Sequence, residues 1–449
     1  MSIFREYDIR GVIGKDLTEE TILNIGKAFG SIVQGKVLVG RDNRLHGNEV
    51  KDIFIQGLLS TGCDVVDLGI ITSPMLYFAS KKLENSAAVM VTASHNPKEF
   101  NGFKIIKDNK PFFGEDIYKL GQLVESKVFK SGEGTLSTRS ITEAYHEFFN
   151  TLPKLNRQLN VVVDCGNGTA SLFYPEILKS LGCNVTELYC TSDGNFPNHE
   201  PDPVVESNLK DLISKVKELK ADIGLGFDGD GDRLGVVDET GKIIPGDKTL
   251  ILLARDLLSK HPNEKVIYEV KCSMLLESDI RSNSGIPIMY KTGHSLIKAK
   301  MKEENAALAG EMSGHFFFRE LNFFDDAMYA AYKVLTILSN SNQTLSSMLS
   351  DLPKTYATPE IRDECPDNLK KKVILELLER FKKYNPLTID GLRINFEDGW
   401  GLVRQSNTQP VLVLRFEATS PERLQEIQDL IMNEVNDVKS RALAENKES

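Results

Sequence analysis

The chain has 449 residues, of which 41% are hydrophobic and 26% charged, the composition of an ordinary globular protein. Its net charge of −10 argues against nucleic acid as the main partner, because phosphate backbones demand clustered Lys and Arg, but it leaves small anionic ligands open. No apolar run approaches the ~20 residues of a membrane span, and the first residues lack the apolar core of a signal peptide. The six cysteines form no Cys-x-x-Cys pair. We therefore expect a cytoplasmic protein with reduced thiols and no membrane contact.

Predicted strands alternate with predicted helices through most of the chain, a pattern typical of a parallel or mixed sheet with crossover connections. Length alone indicates about three domains of ~150 residues. The first block predicts helices over 18–31, with Thr18 as the cap, and over 48–61, with strands over 36–42 and 63–68 and a further strand that leads to Ser94. A Gly-, Ser- and Thr-rich passage over 131–140 predicts the first linker.

The pattern then restarts twice before its character changes. The second block predicts strands over 159–165 and 222–227, helices over 172–181 and 208–219, and a hairpin over 235–244. The third block predicts a helix over 248–259 and strands over 265–270 and 287–290, and it ends at the segment 325–338. Past Pro353, a charged helix over 369–384, strands over 392–396, 401–404 and 411–417 and a final helix from Pro421 predict a smaller α+β domain.

The apolar run that begins at Ala88 breaks off abruptly into Ser94-His-Asn-Pro97. Asn-Pro is a turn signal, so this pattern places Ser94 at the end of a buried strand, where open α/β sheets carry their chemistry. A hydroxyl there can act as a nucleophile or carry a phosphoryl group when a neighbour activates it. Turn composition alone favours the plainer interpretation, a strand followed by a capped turn.

Three carboxylates alternate with glycines in Asp228-Gly-Asp230-Gly-Asp232-Arg233, directly after a predicted strand. The glycines allow so tight a backbone that all three carboxylates can converge. Converged carboxylates repel one another unless a cation joins them, and oxygen-only ligands select a hard ion such as Mg²⁺. An EF-hand would need Gly in place of Arg233 and flanking helices, so the sequence predicts a different kind of metal loop.

Two further loops combine a histidine with glycine and a hydroxyl residue: Thr292-Gly-His294 and Ser313-Gly-His315, the second of them preceded by Glu311-Met312. Such histidines can transfer protons near neutral pH or donate to phosphate, although each loop alone is equally compatible with a structural role. In the last block, Arg404-Gln-Ser406-Asn407-Thr408 lies between two strands and would suit a phosphate dianion. A polar hairpin turn is the alternative for that loop. Cations near the other motifs are Arg10, Arg41, Arg44, Lys104 and Lys271.

Together these motifs resemble the α-D-phosphohexomutase superfamily, in the family's order and over nearly the whole chain. The segment 4–11 resembles its N-terminal signature and 92–97 its phosphoserine loop. The segments 228–233, 311–315 and 404–408 resemble its metal-binding, sugar-binding and phosphate-binding loops. The resemblance implies an α/β fold of three similar mixed-sheet domains and a smaller C-terminal α+β domain around a central cleft. We place these domains at residues 1–139, 140–246, 247–353 and 354–449.

The resemblance also implies roles for individual residues. Ser94 would carry the phosphoryl group and, with Asp228, Asp230 and Asp232, hold one Mg²⁺. Residues that surround the phosphoserine in relatives are matched by Arg10, Lys104, Arg233, His294 and His315. Residues that grip the sugar 3- and 4-hydroxyls are matched by Glu311 and Ser313. Further substrate contacts are matched by Tyr7 and Lys271, and the phosphate grip by Arg404, Ser406, Asn407 and Thr408.

Within the superfamily, Met312 and Asn407 match the phosphomannomutase/phosphoglucomutase branch, whereas phosphoglucosamine mutases usually carry Gln and Gly there. The implied activity is the reversible conversion of mannose and glucose 1-phosphates to their 6-phosphates. It runs through a phosphoserine enzyme and a hexose 1,6-bisphosphate, which is both intermediate and activator, while His315 or Lys104 moves protons. The implied protein is a monomer or homodimer whose partners are hexose phosphates. The alternatives are a phosphoglucosamine mutase, a sugar-phosphate phosphatase and a non-catalytic sugar-phosphate binder.

Overall fold

Four β-sheets organise the chain in the computed structural model, which describes residues 3–406 and 409–448. The first sheet is mixed, in the order β1-β5-β4-β2-β3-β7, with β6 added beside β5. Its strands are Ile9–Val12, Val37–Arg41, Val65–Ile70, Ala87–Val91, Phe100–Lys107, Lys110–Pro111 and Leu136–Thr138 (β1 to β7). Its helices are Glu19–Val33, Gly47–Leu59, Ser73–Lys82 and Glu115–Ser126 (α1 to α4). As predicted, Thr18 caps α1, because its side chain accepts a hydrogen bond from the Thr21 N–H.

The second and third sheets are also mixed and have five strands each. The order in the second is β12-β11-β10-β8-β9, and in the third β14-β13-β15-β16-β17. The second block contains α5 Thr142–Thr151, β8 Asn160–Asp164, α6 Tyr174–Ser180, β9 Asn184–Leu188, α7 Lys210–Leu219, β10 Ile223–Phe227, β11 Leu234–Asp238 and β12 Ile243–Ile244. The third contains α8 Gly246–Lys260, β13 Lys265–Glu269, α9 Met274–Ser282, β14 Ile286–Tyr290, α10 His294–Glu304, β15 Leu308–Gly310, β16 Phe316–Phe318, β17 Phe324–Asp325 and α11 Ala327–Ser339.

The fourth sheet differs from the others because all its strand pairs are antiparallel. Its order is β18-β22-β21-β20, with β19 also beside β22. The elements are β18 Tyr356–Ala357, β19 Ile361–Glu364, α12 Asp367–Arg380, β20 Leu392–Phe396, β21 Gly399–Gln405, β22 Val411–Ala418 and α13 Pro421–Glu448. The predicted fold class, three mixed α/β sheets and a smaller α+β unit, is thus confirmed. None of the helices that the structure describes combines the length and apolar character that a membrane span requires.

Two expectations from the sequence were wrong. The passage over 131–140 is not a free linker, because β7 lies within it and pairs in parallel with β3 at the sheet edge. Its strand character was hidden because all three of its residues are exposed, so no apolar face marks it. The chain also has four sheet-based units where length indicated three, since the last unit is built from only about 90 residues.

The hydrophobic cores show how the units are joined. One core is continuous through residues of the first three sheets, whereas the fourth sheet packs with α12 and α13 around a core of its own. Between the third and fourth units the apolar contact is small, Val270 against Trp400 and Leu402. Buried polar contacts supplement it: Glu417 accepts hydrogen bonds from Ser273 Oγ (2.6 Å) and from the Met274 N–H (2.9 Å). The last unit is therefore the most separable part of the described chain.

Candidate active site

Ser94 lies three residues beyond β4, in the turn between two antiparallel strands, as the sequence predicts. It is fully buried and has a left-handed backbone, with a φ of 51°. A non-glycine residue in that region is uncommon and needs support from its surroundings. Thr92 supplies part of it, because its hydroxyl accepts a hydrogen bond from the Ser94 N–H at 2.9 Å.

Arg44 supplies most of the remaining support for this turn. The side chain is buried, pairs with Asp42 at 3.2 Å and donates to backbone carbonyl oxygens of the turn. The acceptors are the carbonyl groups of Ser94 (2.8 Å), Asn96 (2.6 Å), Pro97 (2.7 Å) and Phe100 (3.1 Å). The sequence marked Arg44 only as a nearby cation, because nothing local shows that it would fold into the turn. The planar fork of guanidinium donors suits it to several carbonyl groups at once.

The aspartate loop follows β10 directly and faces the serine. Asp228, Asp230 and Asp232 are fully buried, and Ser94 Oγ donates to Asp228 Oδ2 at 2.7 Å. Gly229 permits this approach, since a Cβ there would lie 2.4 Å from the Ser94 carbonyl oxygen. The structure therefore brings together the two strongest motifs of the sequence, which are more than 130 positions apart.

The donor set of this loop fits a hard divalent cation. One carboxylate oxygen from each of the three aspartates can be chosen so that all lie within 4.8 Å of one another. The Oδ1 atoms of Asp230 and Asp232 are buried and have no hydrogen-bond partner among the described residues. Buried carboxylate oxygens without partners are costly, and a bound Mg²⁺ would satisfy them.

Lys104 stands beside these carboxylates. Its Nζ lies 2.7 Å from Asp230 Oδ2 and 2.5 Å from Asp232 Oδ2. Burial alone would lower the pKa of Lys104, but the carboxylates outweigh it and the pKa is raised, so the side chain is a fixed cation. Burial raises the pKa of Asp228, and repulsion from the other two aspartates adds to the effect. Lys104 and the more distant Arg233, whose Nε lies 4.0 Å from Asp228, do not neutralise three carboxylates, which again favours a bound cation.

Arg233, His294 and His315 complete this cluster. Arg233 Nε donates to His315 Nε2 at 3.1 Å, and the two histidine rings stack with centroids 5.5 Å apart. Burial lowers the pKa of His294 well below its usual value, and the nearby Lys298 adds to the shift. His294 is therefore neutral at neutral pH.

Arg10 and Tyr7 approach from the first unit. Arg10 Nη1 donates to Asn96 Oδ1 at 2.7 Å, and Arg10 pairs with Asp8. The Tyr7 hydroxyl donates to the Thr292 carbonyl at 2.7 Å, and its ring meets His294 edge to face. The predicted residues around Ser94 thus lie in one cluster.

The predicted sugar loop lies between β15 and β16. Glu311 is buried, and its Oε1 accepts a hydrogen bond from the Gly293 N–H at 2.7 Å, while Ser313 is half-buried in the same turn. Burial raises the pKa of Glu311, and repulsion from Glu269 adds to the effect. Glu311 therefore contacts Gly293, the residue that precedes His294, so the sugar loop adjoins the serine cluster.

Glu269, at the end of β13, organises this region and was missed by the sequence analysis. Its carboxylate accepts from Thr292 Oγ1 (2.7 Å), from Lys271 N (3.0 Å) and from Met312 N (3.2 Å). It therefore ties three loops together. The only signal in the sequence was a carboxylate closing an apolar strand, which is also typical of a surface position.

Lys271 and Arg404 form the third cluster, where the last unit meets the third. Lys271 Nζ lies 3.1 Å from Glu360, and Arg404 Nε donates to Asp390 Oδ2 at 2.8 Å. Asp390 Oδ2 also accepts from the Thr292 N–H at 3.1 Å, which links this cluster to the sugar loop. Ser406 follows Arg404 and is buried. Asn407 and Thr408, also predicted here, lie outside the described residues.

A second group near the serine contains Asp232, His315 and Asp325, whose ligand atoms also lie within 4.8 Å of one another. Lys298 Nζ lies 2.6 Å from Asp325 Oδ1 and already supplies a positive charge to that carboxylate. The group is therefore better described as a buried ion-pair network than as another metal site. The sequence analysis placed Asp325 only at the start of a segment, because its partners come from distant elements.

Four protein-family models match successive parts of this chain. The models for phosphoglucomutase/phosphomannomutase alpha/beta/alpha domains I, II and III match residues 1–131, 140–241 and 245–356, and the model for the C-terminal domain matches residues 360–434. A phosphomannomutase/phosphoglucomutase from Pseudomonas aeruginosa is 47% identical over 447 residues, covering 98% of this chain and 96% of that protein. A phosphoglucomutase from Neisseria gonorrhoeae is 44% identical over 438 residues, covering 95% of each.

A solved structure agrees with these sequence matches. The crystal structure of a phosphoglucomutase/phosphomannomutase family protein from Burkholderia thailandensis superposes with a TM-score of 0.91 at 42% identity and covers 97% of both chains. The superfamily inferred from the five motifs and the branch inferred from Met312 and Asn407 are thus confirmed. Because the family models and these identities extend over nearly the whole sequence, the chain belongs to the phosphoglucomutase/phosphomannomutase family.

Proposed function

We propose that this chain is a phosphohexomutase that interconverts the 1-phosphates and 6-phosphates of glucose and mannose. The observation that carries the proposal is the contact between Ser94 Oγ and Asp228 inside a buried triad of aspartates. A serine that only shaped a turn would not need three carboxylates opposite its hydroxyl. The names of relatives at 44–47% identity support the reaction class.

Ser94 is the proposed phosphoryl carrier, and Asp228, Asp230 and Asp232 would hold one Mg²⁺ beside it. When bound, Mg²⁺ neutralises charge that develops on the phosphoryl oxygens. Lys104, Arg233, Arg10 and the neutral His294 add donors around the same point. Their positions in one cluster, largely shielded from solvent, favour transfer to a sugar hydroxyl over transfer to water.

The reaction transfers a phosphoryl group from Ser94 to a free hydroxyl of the sugar phosphate. The hydroxyl oxygen forms the new bond to phosphorus as the bond from phosphorus to Ser94 Oγ breaks, and Oγ keeps the bonding electrons. We assign the hydroxyl proton to His315, which then returns it to Oγ. The resulting hexose 1,6-bisphosphate then reverses its orientation in the site and transfers its other phosphoryl group to Ser94.

The two remaining clusters suit the parts of the substrate that do not react. Glu311 can accept hydrogen bonds from two adjacent sugar hydroxyls, with Ser313 beside it. Arg404, Lys271 and Ser406 suit the distant phosphate dianion, because they recognise charge and not the ring. Arg404 pairs with Asp390 and Lys271 with Glu360, where the last unit meets the third. We also propose that the four domains span residues 1–139, 140–246, 247–353 and 354–449.

Both glucose 1-phosphate and mannose 1-phosphate should be converted to their 6-phosphates. The two sugars differ at C2, which neither Glu311 nor Ser313 needs to contact. We expect kcat/KM values within ~10³ of each other, about 4 kcal/mol of discrimination. A coupled assay that follows hexose 6-phosphate, run beside assays for inorganic phosphate and with glucosamine 1-phosphate, measures this directly.

The same assays separate the alternatives. Release of inorganic phosphate without isomerisation would identify a phosphatase, and preference for glucosamine 1-phosphate a phosphoglucosamine mutase. Binding without turnover would identify a sugar-phosphate binder. Any of these results would overturn the proposal.

Arg404→Ala should raise KM for 1-phosphate and 6-phosphate substrates by similar factors, because the dianion is gripped whichever end of the sugar carries it. A charged hydrogen bond of about 1.5–3 kcal/mol implies a loss of roughly ten- to a hundredfold in kcat/KM. The phosphorylated fraction of Ser94, read by intact mass, should not change. Arg423→Ala is the matched control, since Arg423 pairs only with Asp398 and Glu426 among the ion pairs of the described chain. Impairment toward one substrate alone would contradict a shared grip.

A further inference from the structure

Lys298 is a buried cation that the proposed mechanism does not use. It lies on α10, four residues after His294, with its side chain 4% exposed. Its Nζ is 2.6 Å from Asp325 Oδ1 and 4.2 Å from the centroid of the Tyr77 ring. A buried ammonium group is costly unless it is paired, so its contacts carry information about its role.

One of these contacts leads to His315 through Asp325. Asp325 Oδ2 lies 2.7 Å from His315 Nδ1, on the opposite side of the ring from Arg233. Because a guanidinium group can only donate, the Arg233 contact requires a lone pair on His315 Nε2. The ring proton therefore lies on Nδ1, where the Asp325 carboxylate attracts it electrostatically, although the two groups are not aligned as a hydrogen bond.

Lys298 also contacts His294 directly. Lys298 Nζ lies 3.4 Å from His294 Nδ1, and an ammonium group can likewise only donate. His294 Nδ1 is therefore the acceptor, and the proton of the neutral ring lies on Nε2. That Nε2 atom is buried and has no hydrogen-bond partner among the described residues, so its N–H is available to a ligand.

We infer that Lys298 is a positioning residue that fixes opposite tautomers in the two site histidines, directly in His294 and through Asp325 in His315. His294 then presents an N–H donor suited to a phosphoryl oxygen. His315 presents a lone pair suited to a hydroxyl proton, once a phosphate dianion draws Arg233 away from it. The catalytic meaning of this arrangement rests on the proposed function, but the tautomers themselves do not.

The tautomers can be read directly by ¹⁵N NMR on the full-length protein labelled at its seven histidines. His294→Gln and His315→Gln assign the two signals. In the wild type, Nδ1 of His315 and Nε2 of His294 should carry the protons and show pyrrole-like shifts, and the other two nitrogens should show pyridine-like shifts. The same tautomer in both rings would overturn the inference.

Asp325→Asn gives the sharpest variant. The Lys298 ammonium group can only donate hydrogen bonds, so it must pair with the oxygen of the new amide. The amide NH₂ group then faces His315 Nδ1. The proton of His315 should therefore move to Nε2, which breaks the Arg233 contact to that atom, while His294 stays unchanged. Lys298→Met should release the preference in His294. Lys302→Met, at an exposed position of the same helix, should leave both rings unchanged and serves as the control.

Kinetics separate a positioning role from a merely structural one. Asp325→Asn should lower kcat by ~10²–10⁴, the contribution of a general base, with little change in KM. In the His315→Gln background the same change should cost less than about threefold, because the residue it acts through is gone. Equal losses in both backgrounds would overturn the inference. If the wild type lacked mutase activity, the proposed function would fail while the NMR result still tested the tautomers.

Discussion

Replacing Ser94 by alanine should lower kcat for hexose phosphate isomerisation by at least ~10³-fold, because the loss of a covalent intermediate removes the whole reaction path. The phosphorylated fraction seen by intact mass in the wild type should vanish. Folding should be retained, since alanine and serine tolerate a left-handed backbone equally poorly and the Arg44 contacts go to backbone carbonyl groups. Thermal denaturation checks that last point.

Ser80→Ala is the matched control for this variant. Ser80 is also a buried serine of the first unit, but its hydroxyl contacts Asn85 and Asn109 and no site residue. It should keep the wild-type phosphorylated fraction and turnover. Turnover in Ser94→Ala close to that of the wild type would exclude Ser94 as the phosphoryl carrier.

The parts of the site that the sequence predicted share one physical feature: a local pattern specifies them. An apolar strand pattern that stops at a turn predicted the position of Ser94. Alternating carboxylates and glycines predicted the aspartate loop. In both cases the backbone geometry follows from neighbouring residues alone. The same is true of the last unit, where strand and helix patterns predicted most elements within a few residues.

The parts that escaped prediction depend on contacts between distant segments. Arg44 acts on carbonyl groups about 50 residues away, and Lys298 acts on Asp325 from a different element. Neither residue differs, in its local sequence, from a surface cation at the start or middle of a helix. Buried ion pairs of this kind become visible only when the sheets are assembled. The resemblance to the superfamily supplied the order of the motifs, and the structure supplied the supporting residues.

Asp228→Asn should lower turnover without lowering the stability of the metal-free fold. In the metal-free protein, three buried carboxylates repel one another, and Lys104 is their nearest ion-pair partner among the described residues. Removing one charge relieves that repulsion. The amide oxygen can still accept from the N–H groups of Asp232 and Arg233, as Asp228 Oδ1 does at 2.9 and 3.0 Å. The melting temperature measured in EDTA should therefore stay the same or rise.

The same variant should lose what Mg²⁺ gives the wild type. A cation that binds only the folded state stabilises it by about 2.7 kcal/mol at a hundred times its Kd, so Mg²⁺ should raise the melting temperature of the wild type. EDTA should abolish wild-type turnover and Mg²⁺ should restore it. In Asp228→Asn the Mg²⁺-dependent rise should shrink or vanish and kcat should fall by at least ~10²-fold, because charge on the phosphoryl oxygens is no longer neutralised.

Asp238→Asn controls for the loss of a buried carboxylate as such. Asp238 closes β11, and its side chain accepts hydrogen bonds from the Thr240 and Lys242 N–H groups, away from the aspartate loop. Its replacement should lower the melting temperature slightly in EDTA and leave both the Mg²⁺-dependent rise and the turnover intact. The opposite signs expected for two buried aspartates in one sheet follow from their neighbours, since one faces like charges and the other faces only donors. Full turnover by wild-type protein in EDTA, or an unchanged response to Mg²⁺ in Asp228→Asn, would show that the triad does not hold the metal.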